Sequence, residues 1–253
     1  MEEFARCRDY DYLGSRSDGG FAEFVDAPAW NLLPLPTSVS LDDGALTEPL
    51  AVVVHALDRL QVQAHQPLAI LGSGFLGLLA VAVLRAAHPQ LPITVLGRHP
   101  AKLRRAEELG ATCVPAPEHA AFLESHAARF PQVLEAAGAP ATFTGALQLA
   151  APGGRVVWMG NPSSDVTLPQ ALASQVLRKE LNLCGTWNSR YRGAAPSDWT
   201  AALAHMAGGL RPSGFVTSRV DLDGLPGLLG RLHAHKQGDA SFPDLKSLVR
   251  IAP

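Results

Sequence analysis

The alternation of apolar and polar positions changes character twice along the chain. Residues 1–20 are charged and Gly-rich, without a clear period. GFAEFVDAP at 20–28 alternates, which predicts a strand burying Phe21, Phe24 and Val25. After Pro34 and Pro36, Asp42 or Asp43 would cap a helix that begins near Gly44 and carries Glu48, Pro49 and His55. Glu48 and His55 lie two turns apart, on one face. From residue 68 onward, short apolar runs alternate with helix-period segments. Strands are predicted at LAIL (68–71), ITVL (93–96), TCVP (112–115), QVLEAA (132–137), RVVWMG (155–160) and LNLCGTW (181–187). Helices are predicted at 75–87 and over KLRRAEELG, HAAFLESHAARF, ATFTGALQLA and LPQALASQVLRKE, with SDWTAALAHMAGG (197–209) after the last strand. Near-continuous apolar strands joined by helices predict an α/β fold with a parallel sheet covered on both faces. Six such strands match a doubly wound Rossmann sheet. The tail adds a strand (GFVTSRVDL), a helix (GLPGLLGRLHAHK) and a closing strand (LKSLVRIAP). It is assigned, with residues 1–45, to a second structure that straddles a nucleotide domain at 46–212, the return segment being 213–253.

The densest chemistry lies at LAILGSGFLG, residues 68–77. Gly72, Gly74 and Gly77 form G-x-G-x-x-G between a predicted strand and a predicted helix, the context that gives each glycine a task. Gly72 permits the tight turn, Gly74 lets a pyrophosphate approach bare backbone, and Gly77 lets the helix pack closely. Ser73, Phe75 and Leu76 complete the turn and present the helix N-terminus to an anion. NAD-preferring folds end the second strand in a carboxylate about twenty residues further on. Here that position is Gly97, followed by Arg98. With no carboxylate for the ribose and a planar donor beside it, NADP is expected to bind at least as well as NAD.

Bulk properties narrow the rest. The 253 residues suffice for one large domain or two smaller ones. A net charge of −2 leaves no basic footprint for nucleic acid, and Pro, Gly or charge interrupts every apolar run before membrane-spanning length. The first twenty residues are too polar for a signal peptide. Three dispersed cysteines argue against a disulfide framework and suit a reducing, cytoplasmic setting. Glu135 to Gly138 and Val157 to Gly160 should border the nicotinamide side of the crevice. Trp187 and Asn188 follow the sixth strand and could line a substrate pocket, Asn188 by a hydrogen bond. Arg16 and Arg190 are candidates for a sugar phosphate. His233 and His235 point in different directions on one helix and make a poor metal pair. Ser15 and Ser17 have no base partner.

YDYLGSRSDGGFAEFV, LPLPTSVSLDDGALTEPLAVVVHAL, LGSGFLG and LRKELNLCGTW together resemble zinc-type medium-chain dehydrogenases/reductases, in their sorbitol dehydrogenase-like branch. The resemblance implies a partial GroES-like, β-rich catalytic domain formed from both chain ends. It implies hydride transfer between NAD(P) and a sugar alcohol, including hexitol phosphates such as galactitol 1-phosphate, in a homodimer or tetramer. Glu48 takes the position of a catalytic zinc ligand, and Cys7 that of the last of four structural-zinc cysteines. The family's catalytic cysteine and Gly-His-Glu segment would fall upstream of Met1, so the zinc sites are expected to be incomplete here. Two alternatives stay open: a nucleotide-binding remnant or dimerisation module without catalysis, and a zinc-free quinone-type reductase, against which Glu48 and its helix argue.

Overall fold

The computed structural model describes residues 4–236 and 244–251, so the last two residues of LKSLVRIAP lie outside the described residues. In chain order the elements are α1 (Leu41–Gly44), α2 (Thr47–Leu60), β1 (Leu68–Leu71), α3 (Phe75–Ala87), β2 (Ile93–Gly97) and α4 (Pro100–Glu108). Then come β3 (Thr112–Pro115), α5 (His119–Ser125), β4 (Phe130–Glu135), α6 (Pro140–Leu149), β5 (Ala150–Trp158) and α7 (Gln170–Arg178). The chain finishes with β6 (Asn182–Gly185), α8 (Asp198–Ala207), β7 (Ser218–Asp221), α9 (Leu225–Lys236) and β8 (Ser247–Arg250). By contacts it divides into two units, Pro49–Ser189 and a second made of Met1–Glu48 with Arg190–Pro253. The helix α8, included above in the 46–212 segment, clusters with the chain ends.

The Pro49–Ser189 unit is built on a six-stranded sheet in the order β3-β2-β1-β4-β5-β6, every pair parallel. This is the doubly wound dinucleotide-binding order. All four residues of β1 are buried. Because alternate side chains point to opposite faces, such a strand is covered on both sides. Leu71, Leu96, Val133, Leu147 and Val156 share one core cluster. The strand order reverses at β1, which pairs with β2 on one side (Leu71↔Leu96) and β4 on the other (Leu71↔Glu135). Helix α3 follows β1 directly and is buried continuously from Gly77 to Leu84, the pattern of a central helix rather than an amphipathic one.

Two side chains fasten the far ends of these elements. Gln132, 2 % exposed in β4, accepts from Gln63 N (2.6 Å) and donates to Gln63 O (3.1 Å) and Gln66 O (2.8 Å). Lys179 Nζ donates to the carbonyls of Leu147 and Gln148 in the last turn of α6 and of Ala150 just after it, groups that a helix end cannot all satisfy internally.

In the other unit, β7 and β8 form a parallel pair bridged by α9. The expected strand at 20–28 does not form: Phe21 is 63 %, Phe24 90 % and Val25 49 % exposed. A strand needs a partner for its N–H and C=O groups, and no strand pairs with this segment among the described residues. The cap also moves. Ser40, not Asp42 or Asp43, caps α1, accepting from Asp43 N (3.1 Å), and a separate helix starts at Thr47. Asp43 is instead a buried acceptor for Ser40 Oγ (2.7 Å) and Ser213 N (2.9 Å), tying the two chain ends together. Burial pushes its carboxyl up, but donors Ser213 and Ser40, with Arg211 nearby, outweigh that and hold it below its ordinary value.

A depressed folded pKa means that this stabilisation is complete above the unfolded value of about 3.9 and fades as pH falls through the folded one. Asp43→Asn should therefore lower stability at pH 7 by about 1–3 kcal/mol and flatten the acid limb below about pH 4, as read by urea denaturation across pH.

Candidate functional site

The site grows from the turn between β1 and α3. The chain leaves the strand through Gly72, whose φ of +128° only glycine adopts readily. A β-carbon there would lie 2.8 Å from the carbonyl carbon of Ala136. A β-carbon on Gly77 would fall on the carbonyl oxygen of Gly72. Gly74, the N-cap of α3, is the opposite case: a β-carbon there meets nothing within 4 Å, and no side chain caps the helix. The first intrahelical bond of the turn is Leu78 N to Gly74 O (2.9 Å). Gly72 and Gly77 thus close the turn tightly, while Gly74 leaves open space before the positive end of α3. That is the form of a phosphate cradle.

Gly97 ends β2, the strand beside β1, and is buried. Arg98 follows it, exposed, with no hydrogen bond or ion pair among the described residues. Ser73 sits in the turn and Phe75 and Leu76 open α3, so all eight residues expected to touch a nucleotide gather beyond the C-terminal ends of two neighbouring strands. A dinucleotide would find phosphate donors at the first and a donor in place of the usual carboxylate at the second.

The carboxyl ends of β4 and β5 are joined by Glu135, which is fully buried. Its Oε1 accepts from Ala137 N (2.9 Å), Gly138 N (2.8 Å) and Thr142 Oγ1 (2.6 Å), and its Oε2 from Gly160 N (3.1 Å). Position predicted that Glu135 would border the crevice; its role in fastening two strand ends was not predicted. The available signal was an ionisable residue ending the apolar run QVLE, because a buried charge requires donors.

The other candidates scatter. Asn188 adopts a left-handed conformation (φ +53°) and its Oδ1 accepts from Ser189 Oγ (3.3 Å). Trp187 is 58 % exposed. Arg190 forks onto Asp198, buried at the start of α8, through contacts of 3.5 Å from Nε and Nη2, and its backbone N–H donates at 2.6 Å. The guanidinium is committed to a carboxylate rather than presented to a phosphate. Arg16 stacks over Tyr10 at 4.5 Å and is exposed. Glu48, in the first turn of α2, accepts from Tyr12 Oη (3.0 Å). Burial first, and Glu48 second, push the Tyr12 phenol up to about 12, so it remains a donor at neutral pH.

The sequence pattern of the family described as zinc-binding dehydrogenase matches residues 76–208, just over half of the chain. The chain belongs to the zinc-binding dehydrogenase family. Galactitol 1-phosphate 5-dehydrogenase of Escherichia coli K12 is 32 % identical over 206 residues, covering 79 % of this chain and 59 % of the relative, so the chain spans about three fifths of that curated relative's length. The crystal structure of galactitol-1-phosphate dehydrogenase from Escherichia coli superposes with a TM-score of 0.81 at 28 % identity, over 98 % of this chain and 71 % of that one. A structure from Sinorhizobium meliloti 1021, described as a zinc-binding dehydrogenase bound to NADP, gives 0.81 at 28 % identity over 97 % and 70 %.

The family's name implies zinc, and the donor set tests it. Tetrahedral catalytic zinc takes three protein ligands. Among the described residues no three His, Cys, Asp or Glu side chains come together to hold a metal. Glu48 faces a phenol, and Cys7 is exposed and free. The described residues therefore do not fit a zinc centre by themselves, whereas the Gly72–Gly77 turn has the open form described above. No helix among the described residues is long and apolar enough to cross a membrane.

Gly77→Ala places a methyl group on the Gly72 carbonyl and should cost about 1–3 kcal/mol, with a lowered thermal midpoint. Gly74→Ala, which meets nothing, should change the midpoint far less while weakening nucleotide binding. Calorimetric melting and titration of both variants separate the two effects.

Proposed function

We propose that this chain binds a nicotinamide dinucleotide on the Gly72–Gly77 turn, prefers NADP, and forms the nucleotide-binding part of an oxidoreductase of sugar alcohols. The observation that carries the reading is the open space before Gly74 at a helix start with no side-chain cap, beside a strand that ends in Gly97 and is followed by Arg98. When bound, the nicotinamide supplies or accepts a hydride. The chain's own part is to hold the pyrophosphate on the α3 amides, to offer Arg98 to the adenosine end, and to keep the crevice shaped through Glu135. The substrate class rests on the likeness to galactitol 1-phosphate 5-dehydrogenase and covers hexitol phosphates such as galactitol 1-phosphate. Asn188 in the Pro49–Ser189 unit and Arg16 in the chain-end unit are each taken as candidate substrate contacts. The unit built from both chain ends is read as part of a GroES-like catalytic domain. The edge strand β6, with Leu183 exposed on it and Leu177 of α7 and Trp187 exposed beside it in sequence, supports a homodimer or tetramer, and three free cysteines support the cytoplasm.

A second reading, a nucleotide-binding module without catalysis of its own, draws support from the lack of three grouped His, Cys, Asp or Glu side chains among the described residues. Metal analysis of the purified chain separates the two: close to one zinc per chain supports a working centre, and none supports the module.

Titration of the chain at fixed salt should give an NADP dissociation constant no weaker than that for NAD, and Arg98→Asp should shift the ratio toward NAD by about tenfold or more. Wild-type protein that binds NAD tenfold more tightly would end the preference for NADP.

A further inference from the structure

We propose that the Ser73 hydroxyl is a second donor to the 2′-phosphate of NADP, so that Ser73 and Arg98 set nucleotide preference together. This rests on the dinucleotide reading of the turn and adds a residue whose side chain, not its backbone, does the selecting.

Three observations meet at this point. Ser73 is only 5 % exposed, yet its hydroxyl makes no hydrogen bond to a described residue. Its oxygen is not one of the fully enclosed polar atoms of the described residues, so the hydroxyl faces open space in the turn and can donate to a ligand that enters it. Second, the side chain lies over the α-carbon of Gly97. A β-carbon built on Gly97 would sit 2.8 Å from Ser73 Cβ, overlap its Oγ, and lie 2.7 Å from Leu103 Cδ2. The hydroxyl therefore stands at the carboxyl end of β2, the place from which a carboxylate reads the ribose in NAD-preferring folds. Third, Arg98 is the next residue, exposed and without a partner among the described residues.

The chemistry of these groups selects for charge. A carboxylate at the strand end accepts from ribose hydroxyls and repels phosphate. A hydroxyl and a guanidinium both donate, and a phosphate dianion only accepts. Bonds to an ionised acceptor are shorter and about twice as strong as bonds between neutral groups. The Ser73 hydroxyl can still meet a neutral ribose, but with far less gain.

Calorimetric titration of the whole chain with NADP, NAD, 2′,5′-ADP and 5′-AMP at fixed salt tests this on wild type and Ser73→Ala. Loss of one charge-assisted bond should weaken NADP and 2′,5′-ADP by about tenfold and leave NAD and 5′-AMP within about twofold. The Ser73→Ala melting midpoint should match wild type, because the hydroxyl has no partner among the described residues. Equal weakening of all four ligands would assign the hydroxyl to the pyrophosphate or to the turn itself and overturn the proposal, as would no weakening at all. Wild-type protein that binds none of the four would instead sink the dinucleotide reading, and the Ser73 role with it.

Discussion

The carbonyl of Gly72 lies where a side chain on Gly77 would have to be, and that single close approach governs the nucleotide unit. It sets the distance between the end of β1 and the first turn of α3, and so the angle at which the helix crosses the sheet. Eight consecutive buried residues of α3 then pack as they do because the helix starts there. The open face at Gly74 follows from the same turn. Two glycines are required because the chain is crowded, and the one between them because it must stay uncovered.

On the other side of β1, Glu135 does for β4 and β5 what the glycines do for β1 and α3. Gly72 backs onto Ala136, and the residues flanking Ala136 are a carboxylate and an amide that donates to it. The turn is thus braced by a buried carboxyl group whose oxygens accept from three backbone amides and one hydroxyl. Such an arrangement is stiff, since loosening any donor leaves a buried polar oxygen without a partner.

How much of this could be read from residue order depended on the range of the interactions. The strand at Leu68–Leu71 and the helix at Phe75–Ala87 have their predicted ends, because apolar runs, glycines and helix starts are local signals. The segment 20–28 has an alternating pattern too, but a strand is completed by another strand, and no periodicity supplies one. Asp43 looked like a cap because it precedes a helix; its actual partner, Ser213, is 170 residues away. Arg190 looked like a phosphate ligand until Asp198 came within reach through a turn that composition does not encode. Of the proposed nucleotide site, the glycines were legible in the spacing, whereas the approach of Ser73 to Gly97 joins the turn after β1 to the end of β2 and no local pattern encodes it.

Gln132 shows the same dependence from the opposite end of the sheet. The surface connection 61–66 is held by an amide that sits in β4, nearly inaccessible to water. Opening that connection would strand both ends of a carboxamide in the apolar interior, so the loop cannot breathe on its own. Its amide at Gln63 should exchange with deuterium on the timescale of the central strands, not of the exposed residues around it.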